Sequence, residues 1–131
     1  MNQKTIWVID DDTIYQIIVN KIIKKSELFF SVSNFKNGKE AIEALKDALD
    51  DKVVFPNVIL LDINMPIMDG WEFMEEMVLL KSRIKDPIHI YIVSSSIAIE
   101  DKNKAKIYPE IIAYLSKPIN NNDLILIAAN H

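Results

Sequence analysis

The chain has 131 residues, which is the size of one ordinary domain, and half of these residues are hydrophobic, enough to form a core. A net charge of −4 argues against the dense positive surface that direct DNA or RNA binding needs, and the absence of cysteine excludes disulfides and thiolate metal sites. Only two glycines occur, Gly38 and Gly70, so a glycine-rich dinucleotide motif and a P-loop are both excluded.

The sequence carries no pattern of a targeted or membrane-spanning protein. The apolar run near the N-terminus is too short for a signal peptide, and no segment approaches the roughly 18 apolar residues of a membrane span. We therefore expect a cytoplasmic protein that contacts neither membrane nor nucleic acid directly.

Short apolar runs rich in β-branched residues alternate with longer segments of helical period, a pattern typical of a parallel sheet with crossover helices. The predicted strands are residues 5–10, 29–35, 58–62, 88–94 and 111–115. The second is the most polar, which predicts an edge position in the sheet.

Each predicted strand is followed by a predicted helix. The first starts at about Thr13, is capped by Asp12 or Thr13, and is expected to turn one apolar face inward. The inner-face predictions are Ile14, Ile17, Ile18 and Ile22 for the first helix; Ile42, Leu45 and Leu49 for the second; Phe73, Met77, Leu80 and Ile84 for the third, starting near Asp69; and Leu124, Ile127 and Ala128 for the fifth, starting at Asn121 to Asp123. The fourth helix, about 98–107, is heavily charged and should be exposed.

Four of the five predicted strands end in polar side chains. They are Asp10, Asp11 and Asp12 after the first, Asp62 after the third, Ser94, Ser95 and Ser96 after the fourth, and Ser116 and Lys117 after the fifth. The carboxyl ends of parallel strands share one edge of the sheet, where ligands bind.

These groups suit phosphoryl chemistry. Carboxylates gathered from two strands repel one another unless a cation lies between them, and oxygen ligands suit Mg²⁺. Lys117 and Ser94 can bind phosphoryl oxygens, which leaves Asp62 as a nucleophile that would become an acyl phosphate.

Four segments occur in a characteristic order: VIDD, LLDINMPIMDG, IVSS and YLSKP. With these motifs the whole chain resembles the receiver (CheY-like) domain of two-component response regulators. The resemblance implies an α/β fold, the flavodoxin-like doubly wound (βα)5 three-layer sandwich with parallel strand order 2-1-3-4-5. It also implies one receiver domain over residues 1–131, with no output domain in this chain.

The resemblance further implies a metal and phosphorylation site. Asp62 would be the phosphoacceptor. Asp10, Asp11 and Asp62, with the backbone carbonyl of Asn64, would bind Mg²⁺, with Mn²⁺ as an alternative ion.

Three later residues receive roles from the same resemblance. Ser94 would hydrogen-bond the phosphoryl group, Lys117 would pair with it, and Tyr114 would be an aromatic switch. The peptide bond between Lys117 and Pro118 is expected to be cis.

The implied function is a signalling switch rather than an enzyme acting on an external substrate. Asp62 would accept a phosphoryl group from a phosphohistidine of a histidine kinase or a histidine phosphotransfer protein, in a self-catalysed transfer followed by slow autodephosphorylation. The face of the fourth helix, fifth strand and fifth helix would then change and control a downstream protein. The protein would be a monomer or a phosphorylation-dependent dimer. The family implies that side chains at the positions of Ser95 and Ser96 affect access of water to the phosphoryl group, so the lifetime of the phosphorylated state stays open.

Other interpretations of the same residues remain open from the sequence. Asp12 is expected to be only a helix cap, and by residue type Tyr114 in an apolar strand is more often core than switch. An aspartyl-phosphate phosphatase would need a Thr or Val where Ile14 stands and more chain for a substrate cap. A receiver-like binding module without phosphorylation would not need the complete set of site residues.

Overall fold

The computed structural model describes residues 4–95 and 97–130. Strands and helices alternate along the chain. The strands are β1 (Lys4–Ile9), β2 (Phe29–Phe35), β3 (Val58–Leu61), β4 (His89–Ser94) and β5 (Ile111–Ser116). The helices are α1 (Thr13–Ser26), α2 (Gly38–Leu49), α3 (Gly70–Leu79), α4 (Ile99–Ala105) and α5 (Asn121–Ala129), and a short 3₁₀ turn covers Lys81–Arg83.

All five strands are parallel and lie in the order β2-β1-β3-β4-β5. This order confirms the predicted flavodoxin-like topology and the edge position of β2. Residues 58–61 of β3 are buried on both faces of the sheet, which explains their unbroken apolar sequence.

Side chains that alternate along the strands form two separate core layers. Trp7, Ile9, Ile59 and Leu61 face α2, α3 and α4, whereas Ile6, Val8, Val58 and Leu60 face α1 and α5. The sheet is therefore the middle layer of the expected three-layer sandwich.

Local sequence signals set most helix ends. Asp12 caps α1 by accepting the N–H groups of Ile14 and Tyr15, each at 3.0 Å, as predicted. Asp69 and Asn120 begin α3 and α5 with capping boxes. Leu80 and Ile84 lie beyond the end of α3 but remain packed against the core that Phe73 and Met77 enter.

The predicted inner face of α1 is wrong for three of its four residues, whereas Ile22 is partly buried and packs against the core. Ile14, Ile17 and Ile18 are 69%, 58% and 47% exposed, and the buried residues of the helix are Gln16, Val19 and Ile23. Apolar residues occur nearly all round this helix, so their spacing could not select a face. The hydrogen bonds of Gln16 select it, because its Nε2 donates to the carbonyls of Val8, Asp10 and Phe35 at 3.2, 3.0 and 3.1 Å.

The predicted burial of the other helices is confirmed. Ile42 and Leu45 are buried in α2 with Leu49 partly buried, and Leu124 and Ile127 are buried in α5. Ala105 is the one buried residue of α4, in agreement with the expected exposure of that helix. Among the described residues, no helix is both long enough and apolar enough to cross a bilayer.

Candidate functional site

The site lies where β1, β3, β4 and β5 end. Ile9 is level with Leu61, Leu61 with Ile92, and Ser94 with Ser116, so the residues that follow these strands meet at one edge. Asp10 and Asp62 fall just past their strands, but each still donates its N–H to the neighbouring strand, to Phe35 and Ile9 respectively. Their backbones are therefore fixed as firmly as the sheet itself.

Three carboxylates converge at this edge. Oxygen atoms of Asp10, Asp11 and Asp62 all lie within 4.8 Å of one another; Asp10 and Asp62 are buried, whereas Asp11 is exposed. An all-oxygen donor set open on one side fits a hard divalent cation that keeps part of its water shell. The three residues could thus hold a metal ion.

The two buried carboxylates are held differently. Asp10 uses both oxygens: Oδ1 accepts the N–H of Asp12 at 2.9 Å, and Oδ2 lies 2.6 Å from Nζ of Lys117. Asp62 accepts the N–H of Ile63 on Oδ1 at 2.9 Å, while its Oδ2 is 3.5 Å from Lys117 Nζ. Of the two Asp62 oxygens, Oδ2 therefore has the longer and weaker contact.

Lys117 supplies the positive charge of the site. Its backbone N–H donates to the carbonyl of Ser94 at 3.1 Å, which joins the ends of β4 and β5, and its peptide bond to Pro118 is cis, as expected. The side chain is mostly buried and reaches two carboxylates at once.

The pKa values of Asp62 and Lys117 are both raised, but for different reasons. Burial, followed by the charge of Asp10, raises the pKa of Asp62 to about 6, although Lys117 and the Ile63 N–H oppose the shift. Burial would lower the pKa of Lys117, but its hydrogen bond to Asp10 and the charges of Asp10 and Asp62 outweigh this and raise it. Lys117 thus stays charged, and Asp62 ionises near neutral pH.

The loop after β3 folds back onto Asp62 through Gly70. The N–H of Gly70 donates to the carbonyl of Ile63 at 2.8 Å, and a Cβ at position 70 would lie 2.5 Å from the carbonyl oxygen of Asp62. Only glycine allows this approach. In the sequence, Asp69 followed by Gly70 is typical of a turn, and nothing there indicates this contact with Asp62.

Tyr15 is a site neighbour that sequence reasoning missed. Its ring centroid lies 4.7 Å from Nζ of Lys117. Burial is the main reason why the pKa of its hydroxyl lies above the ordinary value, and the backbone of Ile119 and the charge of Lys117 oppose that shift. The hydroxyl is buried and the contact with Ile119 falls short of hydrogen-bond geometry, so the oxygen has no hydrogen-bond partner among the described residues.

The remaining predicted site residues lie as follows. Ser94 is buried at the end of β4. Tyr114 is 38% exposed with Lys102 Nζ 5.5 Å from its ring centroid, so the core interpretation of this tyrosine is wrong. Asn64 is exposed beside Asp62, and metal binding by its carbonyl stays a prediction. Ser96 lies outside the described residues.

Comparison with known proteins agrees with this geometry. The family model described as the response regulator receiver domain matches residues 6–129. The fold is similar to a two-component response regulator from Cytophaga hutchinsonii, with a TM-score of 0.82 and 27% identity over 100% of both chains. A response regulator receiver protein from Dyadobacter fermentans gives a TM-score of 0.78 and 30% identity over 96% of this chain and 93% of that one.

Similar sequences also occur inside longer proteins. A protein-glutamate methylesterase/protein-glutamine glutaminase from Treponema denticola is 32% identical over 100 residues, which are 76% of this chain and 24% of that protein. The DNA-binding transcriptional regulator NtrC of Escherichia coli K12 is 32% identical over 76 residues, 58% of this chain and 14% of that protein. The chain thus spans about a quarter or less of these relatives.

Proposed function

Because the chain belongs to the response regulator receiver family of two-component signalling, we propose that it is a switch in which Asp62 accepts a phosphoryl group from a phosphohistidine. The donor is a histidine kinase or a histidine phosphotransfer protein. The observation that carries this proposal is the cluster of three carboxylates with one lysine, in which Lys117 lies 2.6 Å from Asp10 and 3.5 Å from Asp62.

Asp62 is the best nucleophile of the three carboxylates. Asp10 has both oxygens engaged and Asp11 has no comparable burial, whereas Oδ2 of Asp62 is buried beside a cation without a close hydrogen bond to it. In the transfer an Asp62 oxygen forms a bond to phosphorus, the N–P bond of the phosphohistidine breaks, and its electron pair returns to the imidazole nitrogen. The product is an aspartyl phosphate.

The carboxylates also fit the magnesium ion that the family implies. Asp10, Asp11 and Asp62, with the main-chain carbonyl of Asn64, would hold Mg²⁺ or Mn²⁺. When bound, the ion would neutralise charge on the phosphoryl oxygens. Lys117 and the hydroxyl of Ser94 would bind phosphoryl oxygens, and these groups support a self-catalysed transfer. The later autodephosphorylation would be slow.

The exposed surface of α1 supports a protein as the donor. Ile14, Ile17 and Ile18 are exposed on the helix that begins directly after Asp10 and Asp11. A small phosphodonor needs no apolar contact, whereas a protein donor gains binding energy from burying these side chains.

The response is a shift between two conformations that changes the face of α4, β5 and α5. Tyr114 on β5 is the switch, since it starts partly exposed and can turn inward. Ile99, Ile107, Ile112 and Leu126 are exposed apolar residues of these elements and their connections, and they would contact a downstream protein or a second copy of this chain.

The experiment treats the protein with a small phosphodonor and Mg²⁺, followed by trapping of the acyl phosphate and mass spectrometry. We expect modification of Asp62 in the wild type, none in Asp62→Ala, and wild-type modification in the control Asp86→Ala, whose exposed carboxylate lies outside the cluster.

Two outcomes favour other functions. Phosphate found on Asp11 or Asp69 would overturn the assignment of the nucleophile. Mg²⁺ binding without any acyl phosphate would favour a receiver-like binding module that is never phosphorylated.

A further inference from the structure

Among the described residues, the ring of Tyr15 is the aromatic group that contacts the ammonium of Lys117. Its ring centroid lies 4.7 Å from Nζ of Lys117, within the range of a cation–π contact. The Asp12 cap accepts the N–H of Tyr15 at 3.0 Å, so the backbone of the tyrosine is fixed by the turn that follows Asp10 and Asp11. The ring is therefore held by the same segment that carries two of the carboxylates.

The flexible side chain of a lysine in such a site must be held in one position by its neighbours. Its ammonium is a point charge on four rotatable carbons, and an arginine-like planar fork is not available to orient it. The ammonium of Lys117 lies close to the carboxylates of Asp10 and Asp62, and the ring of Tyr15 supplies a third, uncharged contact.

Phosphorylation changes the contacts of Lys117 with Asp10 and Asp62 but not its contact with the ring of Tyr15. Once Asp62 carries a phosphoryl group, its own carboxylate charge is lost and Lys117 must turn from Asp10 towards phosphoryl oxygens. The ring attracts the ammonium before and after this exchange.

We propose, on the basis of the function proposed above, that Tyr15 is a positioning residue for the phosphoryl transfer: its ring keeps the Lys117 ammonium between Asp10 and Asp62, where it meets the incoming phosphoryl group. The ring and not the hydroxyl has this role. The hydroxyl oxygen is buried without a hydrogen-bond partner among residues 4–95 and 97–130, and removing it leaves the contact with Lys117 intact.

Two substitutions separate the ring from the hydroxyl. Tyr15→Phe keeps the ring and Tyr15→Leu removes it. Val19→Ala is the matched control, because Val19 is fully buried in the same helix and contributes to the core and not to the site, so it lowers stability without touching Lys117.

The first measurement is made by NMR without metal or phosphodonor. The ring current of Tyr15 should shift the ε-methylene protons of Lys117 upfield in the wild type. We expect this shift to persist in Tyr15→Phe and Val19→Ala and to disappear in Tyr15→Leu. A general loss of stability would not produce this pattern.

The second measurement is the rate of Asp62 phosphorylation by a small phosphodonor with Mg²⁺. Tyr15→Leu should be slower by about tenfold, because without the ring the ammonium spends less time between Asp10 and Asp62, while Tyr15→Phe and Val19→Ala stay within about twofold of the wild type. Equal rates in Tyr15→Leu and the wild type would overturn the inference, as would equal slowing in Tyr15→Phe or Val19→Ala. A wild type that forms no acyl phosphate at all would instead show that the proposed function is wrong.

Discussion

Asp62 carries its charge at a cost to folding, because burial and Asp10 raise its pKa to about 6, above the ordinary value of 3.8. The folded protein therefore holds this proton more tightly than the unfolded chain does. The ionised side chain destabilises the metal-free fold fully above pH 6, the penalty shrinks as pH falls from 6 to 4, and it is absent below both values.

We expect Asp62→Asn to raise the free energy of unfolding of the metal-free protein at pH 7 by about 3 kcal/mol, the cost of raising a pKa from 3.8 to about 6 at about 1.4 kcal/mol per unit. The gain should disappear towards pH 4 and shrink when Mg²⁺ is added. Urea unfolding across this pH range measures it, with Asp86→Asn as the control at an exposed position. A wild type more stable than Asp62→Asn at pH 7 would mean that Lys117 and the Ile63 N–H fully satisfy the carboxylate.

Ile67 is a strained residue in the loop that follows Asp62. Its φ is 70°, in the left-handed region that β-branched side chains avoid, and its side chain is 75% exposed, so little packing compensates for the strain. Asparagine tolerates this conformation. Ile67→Asn should therefore stabilise the protein by about 1 kcal/mol.

Thermal unfolding compares this variant with Ile107→Asn, a change at a position of similar exposure without a positive φ. The control should show no comparable gain. If both variants gain equally, lower surface hydrophobicity and not relief of strain is the cause.

At the scale of elements, Gln16 determines which face of α1 meets the sheet. Its amide donates to carbonyls of β1, of Asp10 and of β2, and accepts from Asn34. The helix is thereby attached to the segment that begins the acidic cluster. Losing these bonds leaves buried polar groups without partners.

Gln16→Met keeps most of the side-chain volume and should lower the free energy of unfolding by about 2 kcal/mol. Ile17→Gln, on the exposed side of the same helix, should change it by less than about 0.5 kcal/mol. Denaturant unfolding of both variants tests the orientation of α1. A larger loss in Ile17→Gln than in Gln16→Met would restore the face predicted from the isoleucine pattern.

At the scale of the whole molecule, one side chain links the site loop to α4. Trp71 follows Gly70, its Nε1 donates to Asp101 of α4 at 3.0 Å, and its ring stacks with Tyr108 at a centroid distance of 6.2 Å. The other tryptophan, Trp7, is buried in the sheet against Phe35. A change that moves α4 should therefore alter the emission of Trp71 and not that of Trp7.

We expect a beryllofluoride phosphate mimic with Mg²⁺ to raise the unfolding free energy by about 2.7 kcal/mol at a hundred times its dissociation constant, since it binds only the folded protein. It should also change tryptophan emission. Asp62→Ala should lose both effects, and Trp71→Phe should keep the stabilisation and lose the emission change. An emission change that survives in Trp71→Phe would place the response elsewhere than at α4.

Sequence alone determined the five strands, their parallel arrangement and the residues of the acidic site. Apolar runs such as 58–61 have a local cause, burial on both faces, and Asp10, Asp62 and Lys117 follow from their places at strand ends. Helix caps such as Asp12 and Asp69 are equally local, because each bonds to an N–H within three residues.

Only the tertiary structure decided which face of α1 is buried, the exposure of Tyr114 and the place of Tyr15. The isoleucines of α1 are at least as apolar as its buried residues, and Gln16 takes the inner position because it hydrogen-bonds to carbonyls of β1, Asp10 and β2. The ring of Tyr15 reaches Lys117 across about a hundred residues of chain. Such contacts arise from packing between elements, and periodicity within one element contains no information about them.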